Sequence, residues 1–146
     1  MKDLQFNIDI AAPVARVWDC MFDPLAYRDW TRAFCEGSYF EGAWETGRRL
    51  RLLDPQGFGM EAVVDECRPH ALMSLRLVGE IQDGRPLADS RLHAEPAHER
   101  YVFNATPEGG THLVVHLQGW DGFLEFLQDT WPKALQRLKA LSESTH

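Results

Sequence analysis

The last segment of the chain, which has the pattern of one long amphipathic helix, constrains the fold more than any other part. From about Asp121 to Ser142, apolar residues recur at steps of one, three and four and therefore share one side of a helix. They are Phe123, Leu124, Leu127, Trp131, Leu135, Leu138 and Leu141. Most of the stability of such a helix comes from the packing of its apolar side. The rest of the chain must therefore supply a broad apolar surface to cover it.

Pro132 lies inside this predicted helix. Proline has no N–H to donate to the carbonyl of Gln128, and its ring presses on that same turn. We therefore expect a bend at this point, or a helix that restarts at Pro132. Trp131 lies on the apolar side and is expected to face the covering surface. A bend would tilt the N-terminal half of the helix, with Phe123 and Leu127, relative to the C-terminal half.

The covering surface is predicted to be an antiparallel sheet. Residues 4–10, LQFNIDI, alternate strictly between apolar and polar, which is typical of a half-buried strand. Further strands are predicted at residues 48–53, 58–67, 72–81, 101–105 and 111–119. Turn sequences such as DPQG and PEGG join several of them directly, which favours antiparallel pairing.

Two short helices are predicted after the first strand, from about Pro13 to Phe22 and from Pro24 to Trp30. The predicted fold class is therefore α+β. It consists of a curled antiparallel sheet of about six to seven strands around a long C-terminal helix, with the two short helices after the first strand. The length of 146 residues suits a single domain.

Composition and charge exclude several classes of partner. The net charge of −7, from 15 basic and 22 acidic side chains, repels phosphate backbones, so nucleic-acid binding is not expected. Arg48, Arg49 and Arg51 form a basic cluster that we interpret as the solvated face of a strand. The apolar runs are too short for membrane insertion. The N-terminal residues are acidic early and do not resemble a signal peptide, so a cytoplasmic location is expected.

The residues that could carry catalysis or bind a metal do not form a recognisable set. Cys20, Cys35 and Cys67 lack a paired spacing and are expected to be free, buried thiols. His112 and His116 share the polar face of a predicted strand, but they lie about 13 Å apart by the usual rise, too far to share a metal ion. No catalytic residue, metal or cofactor is predicted.

The order of the elements, together with several local motifs, resembles the SRPBCC or START-like superfamily. The opening FNIDIAAPVARVWDCMFDPLAYRDW is similar to its strand, proline-led helix, DP turn and following tryptophan. The segments FCEGSYFEGAWETG, LDPQGFGM, LVGEIQDG and TWPKALQRLKAL resemble the branch related to activators of the heat-shock chaperone ATPase. The resemblance covers nearly the whole chain. It implies one START-like domain over residues 1–146, with a helix-grip fold and a cavity between the sheet and the long helix.

The stretch from Thr31 to Gly47 is rich both in aromatic rings and in glycine. In a helix-grip fold its rings would either line the mouth of the cavity or cap a filled core. Met60 and Met73 are expected to face the same space, with Glu61 pointing outward. The predicted ligand-binding residues are Trp30, Phe34, Trp44, Met60, Met73, Leu77, Tyr101, Trp120, Phe123, Leu127 and Trp131.

Three functional hypotheses follow from these observations. The first is non-catalytic binding of a small hydrophobic molecule, such as a lipid, in the cavity. The second, from the branch resemblance, is a chaperone-regulating or other protein-binding module, with a chaperone as partner. The third is a cyclase- or aromatase-type enzyme, which would need inward polar groups. The available candidates for those groups are Tyr39, Glu61, His70 and Tyr101.

Overall fold

A computed structural model of the chain describes residues 1–144 and contains the predicted order of strands and helices. The strands are β1 (Lys2–Ile10), β2 (Tyr39–Gly42), β3 (Arg49–Leu53), β4 (Gly59–Arg68), β5 (Leu72–Gln82), β6 (Arg85–Pro86), β7 (Ala97–Ala105) and β8 (Thr111–Gly119). The helices are α1 (Val14–Phe22), α2 (Pro24–Trp30) and α3 (Asp121–Glu143). Short 3₁₀ turns cover Thr31–Ala33 and Arg91–His93.

All eight strands belong to one antiparallel sheet, which is curled but not closed. The order of its strands is β1-β8-β7-β5-β4-β3-β2, and β6 adds a short hairpin to β5. The predicted fold class is confirmed. The count exceeds the predicted six to seven because β2 and β6 are short and have no apolar alternation of their own.

The alternation of β1 and β8 determines which face of the sheet is covered. Phe6 of β1 pairs with Val115 of β8, and Ile8 pairs with Leu113. The residues of β8 on the same face as Val115 are buried, whereas His116 on the other face is exposed. The apolar face of the sheet therefore packs against the helices, as the sequence predicts.

The short helix α2 is fixed at both ends by hydrogen bonds. The Asp23 carboxylate accepts hydrogen bonds from two backbone N–H groups of the first turn, each at 3.1 Å. At the other end, the Trp30 indole donates to the carbonyl of Met21 at 3.1 Å. The Arg137 guanidinium of α3 donates to the carbonyl of Asp29 at 3.0 Å. These bonds hold the inner side of α2 against α1 and α3.

The long helix α3 runs without interruption through Pro132. The expectation of a helix that restarts at Pro132 is therefore wrong, since the proline ring is accommodated within one continuous helix. The C-terminal half of α3 is firmly packed, with Leu135 and Leu138 buried. The N-terminal half is less covered, and Phe123 and Phe126 each expose 50% of their surface. No helix among residues 1–144 combines the length and apolar content needed to cross a membrane.

The indole of Trp131 lies at the centre of the contact between α3 and the sheet. It is buried, and its ring centroid lies 5.1 Å from that of Phe34 and 5.9 Å from that of Trp30. On the sheet side it lies 6.1 Å from the ring of Tyr101 and 6.4 Å from that of Phe6. Trp131 therefore joins α3 to α2, to the loop that follows α2, and to strands β1 and β7. This confirms that Trp131 faces the sheet.

Replacing Trp131 with Ala is expected to lower the free energy of unfolding by about 3–5 kcal/mol, because it removes a buried ring and leaves a cavity among four others. The matched control is Trp120→Ala. Trp120 is half-buried and stacks under the Arg91 guanidinium at 4.1 Å, so its loss should cost about 1 kcal/mol or less. Chemical denaturation measures both values. Equal losses in the two variants would contradict the central role of Trp131.

Candidate ligand-binding cavity

A cavity of about 320 Å³ lies between α2, the N-terminal half of α3 and strands β3, β4 and β7. Most of its surface is apolar and aromatic. Its aromatic residues are Phe22, Tyr27, Trp30, Phe34, Trp44, Phe58, Tyr101, Phe126 and Trp131. Phe58, Met60 and Phe126 expose between 40% and 50% of their surface and form its mouth.

The structure brings seven of the eleven predicted ligand-binding residues to this cavity. They are Trp30, Phe34, Trp44, Met60, Tyr101, Leu127 and Trp131. Ligand binding by these residues stays a prediction, because a common location in a cavity shows only that they can meet the same molecule.

Four predicted residues do not line the cavity. Met73 and Leu77 point inward but are fully covered by the packed core. Trp120 stacks on Arg91. Phe123 lies in the first turn of α3, which the sheet does not cover, so half of its surface meets solvent. Apolar periodicity identifies the inward face of an element, but it does not show which inward positions border an empty space.

The stretch from Thr31 to Gly47 both lines the cavity and packs the core beside it. Phe34 and Trp44 border the space, and Phe40 packs edge-on against Trp44 with ring centroids 5.3 Å apart. Gly42 has a φ of 110°, and a Cβ atom there would lie 2.3 Å from the carbonyl oxygen of Arg49. Glycine at this position therefore allows β2 to approach β3 while the aromatic residues turn inward.

One acid that borders the cavity, Glu99, is not among the residues predicted from the sequence. Its carboxylate accepts a hydrogen bond of 2.5 Å from the hydroxyl of Tyr101, two residues further along the same face of β7. Strand β7 begins at Ala97, four residues before the predicted start at residue 101, so Glu99 lies outside the predicted strand. The sequence does indicate a longer strand, since the inward residues Ala97, Glu99 and Tyr101 alternate with His98 and Arg100.

Burial determines the protonation behaviour of this part of the cavity. It raises the pKa of Glu99, and the hydrogen bond from Tyr101 offsets only part of that effect. The pKa values of Tyr101 and Tyr27 are also raised, first by burial and then by the negative charge of Glu99. Within residues 1–144, Glu99 forms no ion pair with a Lys, Arg or His side chain.

The other acid at the cavity, Asp54, is already engaged in a turn. Its carboxylate accepts hydrogen bonds from the backbone N–H groups of Gln56 at 2.9 Å and Phe58 at 3.0 Å. A different polar group at the cavity is unsatisfied. The buried indole N–H of Trp44 has no hydrogen-bond partner in the described part of the chain. The polar groups of the cavity are therefore few.

Three of the four polar candidates for an enzyme lie away from the cavity. Glu61 points outward, 3.6 Å from Arg49 and 3.5 Å from Arg51, which confirms both the outward acid and the solvated basic face. The Tyr39 ring lies under the Arg28 guanidinium at 5.4 Å. The remaining candidate, His70, packs edge-on against the ring of Trp18. Of the four candidates, only Tyr101 reaches the cavity.

The cysteines are free as expected, but the expectation that they are buried is wrong for two of the three. All three cysteines are free thiols, but only Cys20 is buried. Cys35 and Cys67 are half-buried, because the loop after α2 and the end of β4 lie near the surface. Across residues 1–144, no three His, Cys, Asp or Glu side chains come together as a metal site would require.

Comparison with known proteins identifies the family. A model of the family described as activator of Hsp90 ATPase homolog 1-like protein matches residues 11–143. The chain belongs to this family. The resemblance to the SRPBCC superfamily and to its chaperone-activator branch is thereby confirmed. No curated protein matches the sequence.

Solved structures share the fold of this family member at low sequence identity. MLL2253 from Mesorhizobium loti is 17% identical, with a TM-score of 0.77 and 99% of each chain covered. The Aha1 dimer from Colwellia psychrerythraea is 15% identical, with a TM-score of 0.74, and 98% of this chain and 97% of that chain are covered. DynU16, a putative protein in the dynemicin biosynthetic locus, is 18% identical with a TM-score of 0.75. The match covers 99% of this chain and 48% of DynU16.

Replacing Glu99 with Gln is expected to stabilise the protein at neutral pH. A carboxylate whose pKa is higher in the folded than in the unfolded state costs stability as the pH rises through that range, because folding then buries a charge. Gln retains an acceptor for the Tyr101 hydroxyl without the charge. Thermal unfolding should give a higher Tm for Glu99→Gln, with a shift of about 2–4 °C for each kcal/mol in a domain of this size.

The gain in Tm should shrink as the pH falls toward the ordinary Glu pKa of about 4.3. There the Glu99 carboxyl of the wild-type protein is protonated, so both proteins have an uncharged side chain at this position. Glu61→Gln is the control, because its carboxylate lies between two arginines and its removal should not stabilise. A Glu99→Gln variant that is less stable at every pH would contradict the assignment of Glu99 as a half-buried acid without a compensating base.

Proposed function

We propose that the protein binds a small, flat and mainly apolar molecule in the cavity between the sheet and α3. The observation that carries this proposal is the aromatic surface around an open space of about 320 Å³. Ligand pockets in proteins span roughly 300–1,000 Å³ and are mostly apolar with a few polar groups. A space at the lower end of that range suits a compact ligand.

The composition of the mouth also supports a ligand. Phe58, Met60 and Phe126 come from a turn, a strand and a helix, yet all border the same opening with 40% or more of their surface exposed. Fully burying one such side chain is worth about 1.5–3 kcal/mol. A ligand held between them would cover apolar surface that the fold itself leaves uncovered.

The relatives are compatible with a role in small-molecule binding. DynU16, which shares the fold, is described as a putative protein in the dynemicin biosynthetic locus, and that description fits a cavity for a compact organic molecule. The structure also has a cavity where the superfamily resemblance predicts one. The cytoplasmic location stays a prediction.

A second candidate function is regulation of a chaperone, which the family description favours. In that case an exposed surface, rather than the cavity, would contact the partner. The two functions are distinguished by whether the purified protein binds the purified chaperone saturably, and by whether a molecule that fills the cavity changes that binding. Saturable chaperone binding with no binding of any apolar molecule would place this candidate first.

The proposal is tested by titration with the neutral dye N-phenylnaphthylamine, followed by its own fluorescence and that of the cavity tryptophans. Phe126→Ala should weaken binding about 5- to 10-fold, because it removes a ring from the mouth. Phe123→Ala is a matched control: both side chains are 50% exposed, on the same helix, but only Phe126 borders the cavity. The control should change the affinity by less than about twofold. Equal effects, or no saturable binding, would refute the proposal.

Replacing Pro132 with Ala is expected to change ligand affinity more than stability. Alanine restores a donor for the Gln128 carbonyl and removes the ring that crowds this turn. The residues before Pro132 include Phe126 and Leu127, which border the cavity, whereas Leu135 and Leu138 after it are core. Comparison of the dye affinity with the Tm of the same variant measures the two effects. A variant with a raised Tm and unchanged affinity would contradict this separation of the two halves of α3.

A further inference from the structure

We infer that the ligand of this cavity is a small organic cation, a protonated amine with an aromatic or alkyl body. Its ammonium group would pair with the carboxylate of Glu99, and its apolar body would lie against the surrounding rings. This inference rests on the proposed function and specifies the chemistry of the molecule that the cavity receives.

The charge of the cavity surface favours a cationic ligand. Among residues 1–144, the side chains that line the cavity include two acids, Glu99 and Asp54, but no Lys, Arg or His. By contrast, Glu61 on the outer face of the sheet lies between Arg49 and Arg51. A site built for a fatty acid or another anion would be expected to present a base or several N–H donors. This cavity presents the opposite charge.

Glu99 has no counter-ion in the part of the chain that the structure describes. Its strand neighbours in β5 and β8 are Leu75 and Leu117, so the sheet supplies no cation beside it. The one hydrogen bond from Tyr101 satisfies part of the carboxylate. Glu99 is half-buried, and a charge partly removed from water is unfavourable without a partner, so acids in such places are usually paired. An ammonium group from a ligand would supply the missing charge and further hydrogen-bond donors.

The aromatic rings that share the cavity with this acid also favour a cation. Tyr101 is bonded to Glu99, and its ring centroid lies 6.1 Å from that of Phe22. Phe22 in turn lies 4.7 Å from Trp44, and Trp44 lies 6.1 Å from Tyr27. The faces of aromatic rings attract cations within about 6 Å, more strongly where water is excluded. Rings and carboxylate therefore favour the same kind of ligand.

A neutral ligand would use these groups less completely. An alcohol or phenol could donate one hydrogen bond to Glu99 but would leave the charge uncompensated, and it would gain less from the ring faces. A carboxylate ligand would be repelled by both acids. The net charge of −7 adds a general attraction for cations and none for anions.

The test compares three probes that share one aromatic body: naphthylethylamine, naphthylethanol and the carboxylate anion of naphthylacetic acid. At neutral pH the amine is protonated, since alkylammonium groups have pKa values of about 10. Calorimetric titration of the wild-type protein should give an affinity for the amine at least about tenfold higher than for the alcohol. The acetate should bind most weakly of the three.

The variant Glu99→Gln should abolish the preference for the amine. The affinity of this variant for the amine should fall to within about two- to threefold of its own affinity for the alcohol. The control Glu61→Gln removes an acid of the outer face and should leave all three affinities unchanged. Should Glu99→Gln fail to fold, the wild-type ranking of the three probes still decides.

The outcomes separate this inference from the proposed function. If the alcohol or the acetate binds the wild-type protein as tightly as the amine, the inference is wrong and the cavity is an apolar site without charge selection. If Glu99→Gln keeps the preference for the amine, another group supplies it and the inference is also wrong. If neither these probes nor N-phenylnaphthylamine bind, the proposed function fails and the inference fails with it.

Discussion

The packing of the Trp131 indole between α3 and the sheet is the contact on which the rest of the structure depends. Its neighbours come from β1, from β7, from α2 and from the loop after α2, so one side chain sets the separation of several elements. Toward the C-terminus of α3, smaller residues such as Ala134 and Leu138 fill the remaining space completely. Toward the N-terminus, Leu127 is smaller than the indole and Phe126 turns to the mouth, so the space beside Trp131 stays open.

The open space and the acid within it both run against what stability alone would favour. Unfilled volume in a core costs dispersion contacts, and a buried carboxylate without a base costs solvation. Features that break the ordinary rules of packing and pairing tend to concentrate where a protein has a function. Here two such features, an incompletely filled aromatic cluster and a half-buried acid without a base among residues 1–144, occur at one place in the fold.

Much of the fold could be predicted from the sequence because strict periods specify it. The alternation of residues 4–10 and the stripe through Trp131 each leave one arrangement that buries the apolar side. The site could be predicted only in part, because periodicity gives the direction of a side chain and not the space in front of it. Met73 and Trp44 are both large and apolar, but the first is covered and the second borders the cavity. Glu99 was missed because a charge inside an apolar alternation resembles the end of a strand.

The position of Glu99 and Tyr101 in the middle of the sheet has a consequence for how selectivity would evolve. Strand β7 is held by β5 on one side and β8 on the other, so the polar pair stands on a part of the fold with little freedom to move. The mouth is built instead from a turn, the start of a strand and an exposed helical segment. Substitutions there can alter the shape of molecule that is accepted without disturbing the backbone that carries the acid. Related chains could then diversify toward ligands with different bodies while keeping the same polar group as the point of attachment.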